Sequence, residues 1–251
     1  PMKKLIFTFL YTLVCSYTSN TLFAQERDFL VLKQYSFSSM EDLRQTSEFI
    51  EYAYLPALKQ AGYTHIGVFM EQPQEDDKIP DLYLLHTLKD IEDFAKLDEQ
   101  LIQAGTWEKE YLPQYLRINT TLMQAFEDMP QLQPCPLKGD RTKRIYELRS
   151  YESANVQKYL NKVDMFNAGG EIILFEELGF NAVFYGEVLA GSQMPNLMYM
   201  TTFENKEKRD QLWDLFFSSA KWEELKNNDF YKGNVSRADI IFMAPTAYSD
   251  Y

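Results

Sequence analysis

Cysteine and histidine are scarce in this chain of 251 residues, which holds two of each. Cys15 lies in an N-terminal apolar segment, so a chain that has lost this segment keeps only Cys135 and forms no internal disulfide. His65 and His86 stand far short of the three or four clustered ligands that a firm zinc site needs. We therefore expect no metal site and no cofactor.

Basic charge and the common catalytic motifs are also missing. The 25 Lys and Arg residues are outnumbered by 37 Asp and Glu residues, which gives a net charge of −12. Such a surface repels phosphate backbones, so we expect no nucleic-acid partner. The sequence contains no GxGxxG, P-loop, GxSxG, HExxH or CxxC motif, so it offers no familiar nucleotide-binding or hydrolytic signature.

The N-terminal segment has the pattern of a secretory signal. Lys3 and Lys4 precede an apolar run at residues 5–14, and Leu22, Phe23 and Ala24 follow a polar stretch. The pattern predicts a signal peptide over residues 1–24, cut between Ala24 and Gln25, and a secreted or periplasmic protein. The run is shorter than the ~20 apolar residues of a membrane span. We expect no stable span after cleavage, with an uncleaved anchor as the alternative.

Aromatic and apolar residues are abundant, and they recur in two similar copies. Hydrophobic residues make up 45% of the chain, enough for a sizeable core. Pro80 matches Pro195 and Trp107 matches Trp222, both at an offset of 115 residues (195 − 80 and 222 − 107). A shared Pro and Trp in one order indicate a duplicated unit. We assign residues 25–128 to the first repeat, 129–143 to a Pro-rich linker and 144–251 to the second repeat.

Each repeat is predicted to run β-α-β-β-α-β, which makes the fold class α+β with two ferredoxin-like units. Gly169 and Gly170 should break the first helix of the second repeat, predicted at 156–178, whereas its second helix is predicted to be continuous over 206–227. A four-stranded sheet with both helices on one face leaves the other face bare. We expect the two bare faces to meet as one barrel within the chain. The predicted strands are 29–37, 63–72, 82–88, 115–126, 144–151, 180–189, 196–203 and 235–243.

The second repeat resembles the NIPSNAP family. It opens with the string YELRSY at 146–151 and carries Arg209 and a late Trp222 in its second helix. The first repeat matches more loosely, since Phe94 stands where the second has Arg209. The resemblance implies a dimeric α/β-barrel fold, shared by cofactor-free oxygenases, haem enzymes and binding proteins, and fold alone does not choose among them.

Alternation along the first strand of the second repeat suggests a candidate site. It places Tyr146 and Leu148 on one face and Glu147, Arg149 and Tyr151 on the other. We assign the apolar face to the helices, so that the charged face points into the barrel. A carboxylate and a guanidinium two residues apart can hold an anionic ligand or form a structural ion pair bridging the two sheets.

Alternation over residues 63–72 directs His65 and Phe69 into the barrel as well, whereas His86 is predicted to face the helices as a buried imidazole. The candidate ligand-binding residues are His65, Phe69, Glu147, Arg149 and Tyr151, and the candidate catalytic residues are His65, Glu147, Arg149 and Tyr151.

Three functions are compatible with this sequence. The first is an exported protein that holds a small, partly apolar ligand in the barrel. The second is a cofactor-free enzyme, such as a monooxygenase or an isomerase. The third is a structural module that works by oligomerising and has a filled barrel. A binder requires a cavity of ~300 Å³ or more. The chain could be a monomeric pseudo-dimer or a homo-oligomer.

Overall fold

A computed structural model describes residues 26–74, 78–108 and 110–251, so the predicted signal peptide lies outside the described residues. The strands are β1 (Phe29–Ser36), β2 (Gly67–Glu71), β3 (Leu82–Leu88), β4 (Arg117–Ala125), β5 (Ile145–Glu152), β6 (Asn181–Ala190), β7 (Asn196–Phe203) and β8 (Arg237–Pro245). The α-helices are α1 (Met40–Phe49), α2 (Leu55–Gln60), α3 (Ile91–Gln103), α4 (Val156–Phe166), α5 (Glu171–Leu178), α6 (Lys206–Ser218) and α7 (Ala220–Asn227). A π-helical segment, Ile50–Tyr54, joins α1 to α2.

The eight strands form one closed antiparallel barrel in the order β1-β3-β2-β8-β5-β7-β6-β4. Each repeat contributes four neighbouring strands, and the two sheets join edge to edge where β2 pairs with β8 and β4 pairs with β6. Closure leaves no free sheet edge, and it turns the bare face of each sheet towards the other. The predicted α+β fold with two pseudo-symmetric repeats is confirmed.

The helix interruptions have local causes. The predicted break after α4 is confirmed, because Gly170 has a φ of 86°, and a Cβ on Gly169 would lie 2.6 Å from the Met165 carbonyl oxygen. The predicted single helix over 206–227 is wrong. Ser219 is extended and its side chain accepts a hydrogen bond from the Trp222 amide at 3.2 Å, so it begins a new helix, α7.

Apolar side chains form three packed layers: one inside the barrel and one beneath the helices of each repeat. Phe69 and Tyr146 meet inside the barrel with ring centroids 4.8 Å apart. In the second repeat, Phe175 stacks on Phe216 at 4.8 Å beneath the helices. The sheet of each repeat is therefore covered on both faces, by the barrel interior on one side and by the helices on the other. Among the described helices, none is long and apolar enough to cross a membrane.

Candidate functional site

Strand β5 has the opposite orientation from the one predicted. Tyr146 and Leu148 point into the barrel, and Glu147, Arg149 and Tyr151 lie on the outer face beneath the helices. The prediction that these three residues point into the barrel is therefore wrong. Residues 145–150 of β5 are all buried. Alternation separates them into two sets but does not decide which set is inside.

Glu147 is the centre of a buried charge cluster. Its carboxylate is fully buried and accepts hydrogen bonds from Arg149 Nε at 2.6 Å and Arg209 Nε at 2.6 Å. The indole Nε1 of Trp213 donates to the same carboxylate at 3.0 Å. Arg209 and Trp213 both belong to α6, so the cluster ties this helix to β5. The structural ion pair considered as an alternative is present, but it joins sheet to helix and not sheet to sheet.

The cluster keeps Glu147 ionised. Burial pushes the pKa of this carboxyl upward, but the hydrogen bonds from Arg209 and the positive charges of Arg149 and Arg209 outweigh burial, so its pKa lies below the ordinary value. A carboxylate held by two guanidinium groups is a weak proton acceptor. Its chemical effect is to fix the orientation of Arg149.

Arg149 links this cluster to two tyrosines. Its guanidinium carbon lies 3.6 Å from the centre of a Trp213 ring, and Nη1 donates to the Tyr151 hydroxyl at 2.9 Å. The Tyr151 and Tyr199 hydroxyls are 3.0 Å apart. Burial raises the pKa of Tyr199 well above its ordinary value, so this phenol keeps its proton at neutral pH.

These side chains form the floor of a cavity of about 410 Å³ between the sheet and the helices of the second repeat. Lys162, on α4, is buried in its wall and donates to Glu171 Oε2 at 2.7 Å. Its ammonium also lies 4.5 Å from the centre of the Phe166 ring. We call this space the sheet–helix cavity. Its other lining side chains include Trp213, Phe216, Trp222, Tyr231 and Asn234.

The remaining predicted residues lie elsewhere. His65 is exposed, with a φ of 55°, because β2 begins at Gly67 and not at residue 63. The prediction that His65 faces the barrel interior is therefore wrong. Phe69 does face the interior, but it is packed against Tyr146 and Tyr251, away from the sheet–helix cavity. The structure therefore does not bring His65 and Phe69 together with Arg149 and Tyr151.

His86 lies on the helix side of β3, as predicted. It is fully buried, its Nδ1 lies 3.0 Å from the Thr87 carbonyl oxygen, and the Tyr63 ring packs edge-on against it at 5.5 Å. Burial lowers its pKa to about 4, so the imidazole is neutral at physiological pH. Among the described residues, no group of three or more His, Cys, Asp or Glu side chains could hold a metal ion.

Sequence reasoning missed Lys162 and Asn234, and it used Trp222 only as a marker of the repeat and of the family resemblance. Lys162 had a detectable signal, since it lies on the same helical face as Tyr159 and Phe166, where an apolar residue is usual. Asn234 lies in the loop before β8, and no periodic pattern marks it. Its position in the cavity follows from tertiary folding alone.

Comparison with known proteins agrees with this architecture. Residues 146–250 match the family model described as NIPSNAP. The second repeat carries a NIPSNAP domain. This NIPSNAP domain contains the whole Glu147 cluster and the sheet–helix cavity beside it. No curated protein sequence matches the chain significantly.

Solved structures share the fold of both repeats, including the one that precedes the NIPSNAP domain. A monooxygenase candidate from Fusobacterium nucleatum superposes with a TM-score of 0.60 at 9% identity, covering 88% of this chain and 93% of its own. An anthrone oxidase-like protein gives a TM-score of 0.54 at 11% identity, with coverages of 89% and 93%. A chlorite dismutase from Candidatus Nitrospira defluvii gives 0.51 at 7% identity, with coverages of 90% and 93%. At such low identity these similarities show the fold alone.

Proposed function

We propose that this protein binds a small, partly apolar anion in the sheet–helix cavity of its NIPSNAP domain. The observation that carries the proposal is a set of buried cations facing aromatic walls, next to a space of about 410 Å³. Cavities of ~300–1,000 Å³ are the usual size for small-molecule sites. The proposal keeps the class of ligand predicted from the sequence and moves it from the barrel interior to the space beneath the helices.

Charge favours an anionic group on the ligand. Glu147 is paired with both Arg149 and Arg209. Asp210 is paired with Arg209 and Lys206. The network therefore holds three positive and two negative charges, which leaves one surplus positive charge. Lys162 and Glu171 neutralise each other at 2.7 Å. A net positive site stands out on a chain whose formal charge is −12. In a partly buried space this surplus attracts an anion more strongly than it would in water.

The cavity also has donors to spare. An ammonium has three N–H donors, and Lys162 donates to one carboxylate oxygen and to the Met165 sulfur at 3.5 Å. Asn234 Nδ2 has only a contact of 3.6 Å with the same sulfur. Sulfur is a weak acceptor, so a carboxylate or enolate oxygen placed here gains stronger hydrogen bonds.

Aromatic rings would hold the apolar part of the ligand. Trp213, Phe216 and Trp222 line the cavity, and the Phe216 and Trp222 rings lie 4.7 Å apart. Flat aromatic walls offer large contact area at low entropic cost. A planar aromatic acid fits both the walls and the spare donors.

The other two functions receive less support from these contacts. A cofactor-free oxygenase or isomerase requires a general base, whereas Glu147 is held by two arginines and the Tyr199 phenol retains its proton. Glu171, the carboxylate that lines the cavity, is paired with Lys162 at 2.7 Å. A purely structural module predicts a filled barrel, which does not fit the cavities present.

Calorimetric titration with 2-naphthoate tests the proposal. A double variant, Lys162→Met with Glu171→Leu, removes the buried pair without leaving an unpaired charge. We expect its affinity to fall about 10- to 100-fold, because a hydrogen bond to a charged group contributes about 1.5–3 kcal/mol. Lys208→Met, on the exposed face of α6, removes a lysine ammonium that does not line the cavity and should bind like wild type. Equal binding by wild type and the double variant, or no binding at all, would contradict the proposal.

Export is a separate part of the proposal, resting on the N-terminal pattern of the sequence. N-terminal sequencing of the mature protein should give Gln25 as the first residue. A mature chain that still begins before residue 5 would contradict cleavage. Native mass spectrometry of the same preparation should detect a retained small anion.

A further inference from the structure

A second cavity, of about 350 Å³, lies inside one end of the barrel. Leu148 and Ser150, further along β5 than Tyr146, reach this space, whereas Tyr146 packs with Phe69 and Tyr251. We call this space the barrel chamber. It is separate from the sheet–helix cavity, because the sheet formed by β5, β7 and β8 lies between them. Of the residues predicted to bind ligand, none lines the chamber.

The chamber contains an unsatisfied buried amide. Asn196 is only 2% exposed, and its Nδ2 donates to Ser150 Oγ at 2.8 Å. The remaining amide oxygen, Oδ1, has no hydrogen-bond partner among the described residues. If the amide were turned over, its nitrogen would be left unsatisfied instead. Buried polar atoms are nearly always paired, so this orphaned atom indicates a missing partner.

The corresponding position of the first repeat is satisfied. Asp81 precedes Asn196 by 115 residues (196 − 81), and Gln34 precedes Ser150 by 116 (150 − 34). Gln34 Nε2 donates to Asp81 Oδ2 at 2.6 Å. Two equivalent polar pairs therefore lie near the same end of the barrel, and among described residues the second is left with a free hydrogen-bonding atom.

The charged side chains that line the chamber are paired with opposite charges, and the nearby Asp81 carboxylate, outside the lining, accepts from the Gln34 amide. The Glu71 carboxylate is paired with Lys78 and accepts from the Asp81 amide at 3.0 Å. Asp239 lies 3.2 Å from Arg237 Nε. An ionic ligand would gain little here, in contrast to the sheet–helix cavity. The chamber therefore favours a neutral ligand.

The rest of the lining mixes hydroxyl and amide groups with an apolar surface. Hydroxyls both donate and accept, and amides do the same with separate atoms, so they match ligand hydroxyl groups. The apolar side chains offer a surface for the C–H face of a ring. The polar members include Asn119, Thr121, Ser192 and Gln193, and the apolar members include Leu32, Val188 and Met198.

We propose that the barrel chamber binds a small neutral polyhydroxylated molecule, of the size of a monosaccharide or a cyclitol, through the free atom of the Asn196 amide. Hydroxyl groups of the ligand would meet the amide and hydroxyl side chains, and its ring would lie on the apolar residues. The barrel chamber and the sheet–helix cavity would then be two independent binding sites for ligands of different chemistry.

The test is an NMR titration of the full chain with D-glucose, D-galactose and myo-inositol at millimolar concentrations. At least one should give saturable shifts of the Asn196 side-chain amide. Asn196→Leu should weaken that binding about tenfold, followed in the variant through the Asn119 and Gln193 side-chain amides, because one buried hydrogen-bonding group is lost. Thr121→Val is the second variant, for use if Asn196→Leu does not fold. It preserves the shape of the side chain and leaves the contact between Asn196 and Ser150 intact, and it should weaken binding about three- to tenfold.

Binding of 2-naphthoate by Asn196→Leu separates the two proposals, since it should equal wild type if the sheet–helix site works alone. The chamber proposal is overturned if none of the three compounds shifts the Asn196 amide. It is overturned equally if both variants bind with the affinity of wild type, as followed through the Asn119 and Gln193 side-chain amides. A crystal structure grown with the compounds that shows only water in the chamber would also overturn it.

Discussion

Replacing Glu147 by Gln is the sharpest test of the charge cluster. Gln keeps the shape of the side chain and one acceptor oxygen, but it removes the negative charge that compensates Arg149 and Arg209. Breaking a buried charge pair by removing one partner costs about 3–5 kcal/mol, because the other charge is left uncompensated. We expect the free energy of unfolding of Glu147→Gln to fall by that amount at pH 7.

The assay is urea unfolding followed by tryptophan fluorescence. A loss of about 3–5 kcal/mol also lowers Tm by about 2–4 °C per kcal/mol for a chain of this length. Glu177→Gln, on the exposed side of α5, is the matched control and should change stability by less than about 0.5 kcal/mol.

The stabilisation that ionised Glu147 contributes to the folded state changes with pH in a defined direction. The pKa of Glu147 is lowered in the folded state, so its stabilisation is present above the ordinary value of 4.5 and is lost as pH falls through the folded-state value. The difference between wild type and Glu147→Gln should therefore be largest at neutral pH and shrink below pH 4.5.

A triple variant tests whether removing all three charges restores the stability lost when Glu147 alone is replaced. Adding Arg149→Met and Arg209→Met to Glu147→Gln removes all three charges, and it should recover much of the lost stability. A loss below about 1 kcal/mol for Glu147→Gln alone would refute the claim that these charges are buried and mutually dependent.

Three further predictions concern the scaffold. Because burial lowers the pKa of His86 from 6.5 to about 4, wild type should lose up to about 3 kcal/mol of stability as pH falls through that range, and His86→Leu should lack this part of the slope in pH-dependent urea unfolding. Gly169→Ala should destabilise by about 1–3 kcal/mol in the same assay, since its Cβ would meet the Met165 carbonyl oxygen at 2.6 Å, and an unchanged midpoint would show that the turn adjusts freely. Tyr251→Ala should cost about 3 kcal/mol, because the ring fills one end of the barrel at 5.7 Å from Phe69, and a smaller loss would mean that this end is loosely packed.

The chain order of the elements could be predicted because its causes are local. The matched Pro80 and Pro195 revealed the duplication, and β3 and β7 were predicted at their observed bounds. Gly169 and Gly170 broke the helix as expected, since glycine readily adopts the left-handed backbone conformation that Gly170 has here. The closed barrel followed from a physical necessity, because two bare apolar sheet faces had to be covered.

The site itself was decided by tertiary structure. Residues 145–150 of β5 are buried on both faces, so the sequence separated Glu147 and Arg149 from Tyr146 and Leu148 but could not determine which set faced inward. Arg209 and Trp213, more than 60 residues later in the chain, bind Glu147 and fix that choice. Pairing between residues so distant depends on how α6 packs on the sheet, and no local pattern records it.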